Sequence, residues 1–359
     1  MAKPSSTTGD SEQALVLSGV WKIFGKREHD AFAAIRSHGL SKDEVLKQFD
    51  CVIGVADASF SVRRGEIFCV MGLSGSGKST LVRHINRLLT PTAGSVVIEG
   101  QDIMAMDDAA LRQVRNRRIA MVFQDFGLMP HRSVRENVAM ALEIRGVAQN
   151  QRWAAADRAL EMVELSRWRD RYAHELSGGM QQRVGLARAI AADADILLMD
   201  EPFSALDPLI RRQLQGEFMK LAAQMKKTTV FITHDLDEAA RIGNRIAIMR
   251  DGRIIQIGTA EEIVLKPADA YVAEFVAGIS RLALVKAHSV MQPVAEYEQH
   301  HGPIPDNATS ANDDTPLNEL IKVAVNNNGV IRIEDRDSKT IGVVTKNDLL
   351  LGVISGSAA

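Results

Sequence analysis

Cysteine is almost missing from this 359-residue chain: only Cys51 and Cys69 occur, each inside an apolar segment. Two thiols in a chain this long exclude a disulfide scaffold and fit a reducing compartment. Aromatic residues make up only 5% and prolines number 10, which excludes collagen-like or proline-rich architectures. Neither sign of charge dominates. Forty-three Lys and Arg against 45 Asp and Glu leave a formal charge of −2, so nothing marks a dedicated nucleic-acid binder. Any binding of phosphate must come from local geometry. Long hydrophobic runs are missing too, since no window approaches the roughly 18–20 apolar residues of a membrane span. The N-terminal stretch MAKPSSTTGDSEQ has no apolar segment of the signal-peptide kind, so a cytoplasmic chain is expected. What is present is an ordinary globular composition, 46% apolar and 25% charged, at a length for about two domains.

Residues 1–13 are polar and are expected to be disordered. Leu15–Phe24 and Ile53–Val62 read as strands. Between them lies an insert, residues 25–50, where Ser41 and Glu44 ahead of Val45 and Leu46 mark a helix start. Ile67–Met71, Ile119–Phe123, Ile196–Met199 and Val230–Thr233 are short apolar runs separated by helical patterns. Such runs predict strands buried on both faces, and hence an α/β fold with a parallel-sheet core. Ile246–Met249 and Arg253–Ile257, joined by Arg250-Asp251-Gly252, predict a hairpin. The domain boundary is placed near residue 282. Residues 288–315, rich in Pro, His, Asn and Asp, read as a linker or long loop. A compact unit follows: Leu317, Leu320, Ile321 and Ala324 share a helical face, Val330–Ile333 and Ile341–Val344 are strand-like, and Asn347–Val353 fits a helix.

Gly72-Leu-Ser-Gly-Ser-Gly77-Lys78-Ser79 satisfies the G-x-x-x-x-G-K-S/T phosphate loop in the right context, after a strand and before an amphipathic helix that stops at Thr90-Pro91. Glycines let backbone N–H groups turn toward phosphate oxygens, the helix N-terminus adds partial positive charge, and Lys78 adds a full one. Ser79 is placed to hold Mg²⁺. Asp200 and Glu201 end another apolar strand, where Asp200 suits a hold on Mg²⁺ through water and Glu201 a general base. Gln124 and His234 directly follow two further strands. All these residues therefore fall at the carboxyl ends of parallel strands, where open α/β sheets place their ligands. The convergence predicts a nucleotide hydrolase. Ser177-Gly178-Gly179 starts a helix through Val184, Ala187, Ile190 and Ala191; read functionally, it is a second phosphate-facing helix N-terminus, serving another subunit. Arg112, Arg115, Arg117 and Arg118 are expected to form a solvated helix face, and the insert a surface helical excursion.

The phosphate loop, Gln124, LSGGM-Q, LLMDEP, Ser204-Ala205-Leu206-Asp207 and His234 stand in an order that resembles the ATP-binding subunits of ABC transporters, over about residues 14–282. Closer still, GLSKDEVL in the insert, GEIFCVMGLSGSGKST, IAMVFQDFGLMPH and HDLDEAARIG resemble the glycine betaine/proline uptake branch, importers of quaternary-amine osmoprotectants. That resemblance implies an ABC-type ATPase domain in which antiparallel β and helical subdomains surround the parallel core. It implies ATP and Mg²⁺ as cofactors, with Phe24 stacking on adenine where the family more often has Tyr. Gly72, Ser74, Gly75, Ser76, Gly77, Lys78, Ser79 and Thr80 would cradle the phosphates. Ser79, Gln124 and Asp200 would serve the metal, and Glu201, His234 and Gln124 the catalysis. Ser177, Gly178, Gly179 and Gln181 would meet the nucleotide of the opposite subunit, with Asp207 across the interface. The implied partners are a second copy, a transmembrane permease and, indirectly, a substrate-binding protein, at the cytoplasmic face of the inner membrane and without nucleic acid. The alternatives are a soluble ABC-type ATPase acting on nucleic acid or ribosomes, and an importer ATPase for another amine or an amino acid. Residues 283–359 resemble a single CBS domain of α+β type: Gly342-Val-Val-Thr345-Lys-Asn-Asp348 matches G-h-h-S/T-x-x-D, in which Thr and Asp can hold a ribose.

Overall fold

The computed structural model describes residues 13–204, 206–326 and 330–354. The expected disorder at the N-terminus falls outside these residues up to position 12, as does Ala205 of the Ser204–Asp207 motif. The chain divides into two compact units, Met1–Ile257 and Gly258–Ala359.

The first unit is built on two sheets. Six strands form the central one, in the order Arg253–Gly258, Arg245–Arg250, Ile67–Met71, Thr228–Thr233, Ile196–Asp200, Ile119–Val122. Ile67–Met71 runs parallel to both of its neighbours, and the pairs from Thr228–Thr233 outward to Ile119–Val122 are parallel as well. Every residue of Thr228–Thr233 is buried, Thr228, Thr229 and Thr233 included, as a strand in a doubly covered sheet requires. The second sheet, of four strands, pairs Gln13–Phe24 antiparallel with Val52–Arg63 and with Ala93–Ile98. One core fills the space between the sheets. Phe60 and Phe68 stack at 4.8 Å, and Leu81, Val82 and Ile85 of the helix Lys78–Ile85 are fully buried among the strands. The helices Val134–Ile144, Gln149–Met162 and Gly178–Ala192 pack on one another.

The insert forms two helices, Glu28–His38 and Lys42–Phe49. Ser41 and Glu44 form the reciprocal cap their spacing predicts. Ala31, Ile35 and Val45 pack on Trp21, Ile23 and Ile53, so the insert has a small core against the antiparallel sheet. Both cysteines are buried and free. The arginine cluster is not simply solvated: Arg115 donates from Nε to the Asn86 carbonyl at 2.8 Å and from Nη2 to the Arg87 carbonyl at 2.6 Å, closing the chain after the phosphate-loop helix.

Residues 258–282, expected with the first domain, belong to the second unit. Leu265 packs against the core of Val285, Leu317 and Leu320, and the Lys286 backbone N–H donates to Glu261 at 2.8 Å. Residues 288–315 are folded where a linker was expected: they hold the helix Val294–His301 and the strand Thr309–Asn312. That strand lies parallel to Ile331–Glu334, in a sheet ordered Gln292–Pro293, Thr340–Val344, Ile331–Glu334, Thr309–Asn312. The helices Leu317–Asn326 and Lys346–Ile354 complete the unit. Thr345 and Asp348 engage each other. Asp348 Oδ2 accepts from the Thr345 N–H at 2.8 Å and its hydroxyl at 2.7 Å, while Oδ1 accepts from Gln292 at 2.7 Å.

Candidate active site

The phosphate loop joins the central strand Ile67–Met71 to the helix Lys78–Ile85. Gly75 and Gly77 show why its turn needs glycine. Gly75 takes φ +79° with open space around it, and Gly77 takes φ +100° with the Gly54 carbonyl where a Cβ would stand. Lys78 is 5% exposed, and its ammonium donates to the carbonyls of Gly72 at 2.8 Å and Leu73 at 3.1 Å. Burial pulls the ammonium below its ordinary range, while Glu201 and Asp200 beside it act the other way. The Ser76 hydroxyl is buried without a hydrogen-bond partner, an orphan at the heart of the loop. A buried donor of this kind fits a phosphate oxygen.

Ser79 donates from its hydroxyl to Asp200 Oδ1 at 2.8 Å. Asp200 is 4% exposed, and burial pushes its carboxyl above the usual range against the opposing Ser79 bond. Among the described residues no cluster of three or more His, Cys, Asp or Glu side chains could cage a metal. One hydroxyl and one carboxylate are instead the sparse donor set that suits Mg²⁺, which keeps several waters and takes phosphate oxygens. The residues present fit the metal.

Glu201 follows the strand Ile196–Asp200 with φ +44°, a conformation that costs a non-glycine residue about 1–3 kcal/mol and recurs at functional sites. Its amide donates to the Ile232 carbonyl at 3.1 Å, tying it to the neighbouring strand. One carboxylate oxygen lies 3.0 Å from His234 Nδ1 and the other 3.8 Å from Lys78 Nζ. Gln124 donates to the Ser204 hydroxyl at 3.4 Å, and that hydroxyl donates to the Glu201 carbonyl at 3.0 Å. The ends of three strands thus meet around the phosphate loop, and Gln124, after a fourth, is tied to Glu201 through Ser204. Neither Ser204 nor Arg211 carries a role in the sequence pattern. Arg211 donates to the carbonyls of Phe203 at 3.1 Å, Ser204 at 3.3 Å and Leu206 at 3.1 Å, bracing the segment between Glu201 and Asp207. Its spacing from Asp207, one helical turn on, was the available signal.

Phe24 ends its strand 39% exposed, with Lys22 Nζ 5.4 Å from the ring centre. The ring lies over Gly54: a Cβ there would come 2.5 Å from Phe24 Cε2 and 3.5 Å from Thr80 Cγ2. An open aromatic face therefore stands beside the phosphate-loop helix. Ser74 and Gly75 are exposed at the mouth of the loop.

The remaining expected residues gather elsewhere. Ser177, Gly178, Gly179 and Asp207 line a separate cleft of about 480 Å³, and no phosphate-loop residue lines it. Ser177 caps the helix Gly178–Ala192, and Asp207 caps Pro208–Met225 by accepting from the amides of Leu209 and Ile210, both at 3.1 Å. Gly179 must be small because a Cβ would stand 2.9 Å from Ile210 Cγ2. Gln181 does not line the cleft; its amide donates to the carbonyls of Ala173 at 2.9 Å and Leu176 at 3.2 Å, fixing the turn before Ser177.

Residues 55–204 match the protein family described as ABC transporter. The glycine betaine/proline betaine transport system ATP-binding protein ProV of Escherichia coli is 53% identical over 74% of this chain and 66% of its own length. This chain therefore spans just under two thirds of that relative. The glycine betaine/carnitine transport ATP-binding protein GbuA of Listeria monocytogenes is 51% identical over 75% of this chain and 68% of its own. A dimeric ATP-binding cassette solved in a post-hydrolysis state with ADP and Pi superposes with a TM-score of 0.58 at 30% identity, over 68% of this chain and 98% of that one. With the donor set described above the cofactors are ATP and Mg²⁺, and the chain belongs to the ABC transporter family as one of its ATP-binding proteins, among relatives named for glycine betaine, carnitine, trimethylamine N-oxide and choline transport.

Proposed function

We propose that the chain is the ATP-hydrolysing subunit that energises a membrane permease importing glycine betaine or a related quaternary-amine osmoprotectant. The observation that carries the hydrolysis is the Glu201 carboxylate between His234 Nδ1, at 3.0 Å, and Lys78 Nζ, at 3.8 Å. Lys78 and the loop amides bind the phosphates, and Phe24 offers its face to the base. Glu201 takes a proton from the attacking water while His234 and Gln124 orient the groups around the γ-phosphate. Ser79 and Gln124 would hold Mg²⁺, with Asp200 reaching it through water. The metal when bound neutralises charge on the β- and γ-phosphates.

The cleft bearing Ser177, Gly178, Gly179 and Asp207 lies apart from the phosphate loop, which supports a homodimer with each nucleotide between the loop of one copy and the Ser177 turn of the other. Gln181 acts there by holding that turn. Among the described residues no helix is long and apolar enough to cross a membrane, so passage of the solute falls to a separate permease. The subunit sits peripherally at the cytoplasmic face of the inner membrane and meets a substrate-binding protein only through that permease. The names of the relatives supply the solute class, because an ATPase subunit does not touch what is carried. Residues 283–359 act as a single CBS-like regulatory domain, a reading supported by a mixed four-stranded sheet packed with the helices Leu317–Asn326 and Lys346–Ile354.

Sedimentation of purified Glu201→Gln with and without ATP tests the reading. ATP should convert it to a dimer that persists, with ATP affinity preserved. A variant that stays monomeric in saturating ATP, or hydrolyses it within about tenfold of the wild-type rate, contradicts the proposal.

A further inference from the structure

Arg188 lies on the helix Gly178–Ala192, is 7% exposed, and forms no ion pair among the described residues. Burial pulls its guanidinium below the ordinary arginine value, with no neighbouring carboxylate to offset it. A charge withdrawn from water without a counter-ion is strongly unfavourable, so what it does hold is informative. Nη1 donates to the Gly127 carbonyl at 2.6 Å and Nη2 to the Phe126 carbonyl at 2.9 Å. Those carbonyls belong to the loop that carries Gln124. Its backbone is strained, since Phe126 stands in the left-handed region at φ +56°, where a non-glycine residue needs outside support. The helix packs on the loop there: a Cβ on Gly185 would stand in ordinary van der Waals contact, 3.8 Å, with the Phe126 carbonyl oxygen. The Phe126 ring extends to the Ser177–Gly179 turn, its Cζ 3.8 Å from where a Cβ on Gly178 would stand.

We propose that Arg188 and Phe126 are positioning residues that lock the Gln124 loop to the Ser177–Gly179 turn. The group meeting one nucleotide and the turn meeting the other copy's nucleotide then take up their working positions together. The inference rests on the ATPase reading above and deepens it.

The test uses the full chain as wild type, Arg188→Met, Arg188→Lys and Phe126→Ala, measuring binding of a fluorescent ATP analogue, kcat for ATP and the thermal midpoint. The phosphate loop and Phe24 are untouched, so affinity should stay within about threefold while kcat falls about tenfold or more in Arg188→Met and Phe126→Ala. Lysine keeps the charge but reaches one carbonyl, so its kcat should lie between those of Met and wild type. A merely structural arginine would lower the thermal midpoint and leave kcat of the folded protein unchanged. Should Arg188→Met fail to fold, Phe126→Ala carries the same expectation, because it keeps the backbone carbonyl for Arg188. A kcat within about twofold of wild type in both Phe126→Ala and Arg188→Lys overturns the inference and leaves the ATPase reading standing. A wild-type chain that binds no ATP overturns both.

Discussion

His234 Nδ1 stands 3.0 Å from one oxygen of Glu201, whose other oxygen faces Lys78 Nζ at 3.8 Å. Glu201, the proposed general base, is therefore held from both sides, by His234 at the end of the neighbouring strand and by Lys78 of the phosphate loop. Glu201→Gln should lower kcat by about 10²–10⁴ with ATP affinity preserved. His234→Ala should also lower kcat, and the double variant should lose less than the product of the two, since both act on one water. Steady-state hydrolysis of the three proteins checks this. Strictly multiplicative losses would mean that the 3.0 Å contact has no catalytic part.

The Ser79–Asp200 bond, 2.8 Å, marks the proposed metal site. Removing the hydroxyl in Ser79→Ala should raise the Mg²⁺ concentration for half-maximal hydrolysis by about 10–100-fold, as loss of a ligand or its supporting group does. Nucleotide binding measured in excess chelator should not change. An unaltered Mg²⁺ requirement would remove Ser79 from the metal site.

Phe24 lies over Gly54 with its outer face open. Phe24→Ala should weaken ATP binding by about two- to tenfold, equivalent to the roughly 0.5–1.5 kcal/mol of an aromatic contact, and Phe24→Tyr should keep it. Gly54→Val should mimic the loss by displacing the ring. Calorimetric titration with ATP separates these outcomes, and equal affinity in Phe24→Ala would exclude stacking.

Much of the catalytic core is legible from short stretches of chain, because each motif sits where one strand ends and carries its own local physics. Ile67–Met71 needs only its apolar run and the glycines after it, and the Ser41–Glu44 cap only a spacing of three. What escapes such reading depends on contacts far apart in sequence. Residues 258–282 follow the ATPase strands without a compositional break, yet Leu265 finds its core with Val285 and Leu317. The polar stretch 288–315 looks like a linker until Thr309–Asn312 finds a parallel partner at Ile331–Glu334. Thr345 and Asp348 match a ribose-binding pattern, but the same spacing of three lets them cap each other. Arg188 and Arg211 bind backbone carbonyls, and a carbonyl leaves no mark in the residue types that present it.

Glu238 lies in the first turn of the helix Leu236–Ile242 that follows His234 and is 6% exposed, accepting a 2.8 Å bond from Gln215. Burial pushes its carboxyl above the ordinary value of 4.5, aided by Asp235 and opposed by bonds from Thr233 and Gln215 and by Arg211. A raised carboxyl favours folding only while protonated. Its contribution is full below the unfolded value and is lost as the pH rises through the folded one. Glu238→Gln keeps the shape and the Gln215 bond without the charge. It should raise the thermal midpoint near pH 8 by about 2–4 °C, the effect of roughly 1 kcal/mol in a unit of this size. The gain should vanish in acid, below the ordinary carboxyl value. Thermal scans across pH check it, and a gain that persists in acid would show a cause other than the charge.

The central claim, an ATPase that energises uptake of quaternary amines, is tested most directly in cells of the source organism carrying either the native chain or Lys78→Ala. Uptake of labelled glycine betaine, choline, proline betaine, proline and histidine would be followed at low and high osmolarity. The account predicts that Lys78→Ala abolishes uptake of glycine betaine or another quaternary amine and spares solutes carried by other systems. Unchanged uptake of every quaternary amine in the Lys78→Ala cells would contradict it.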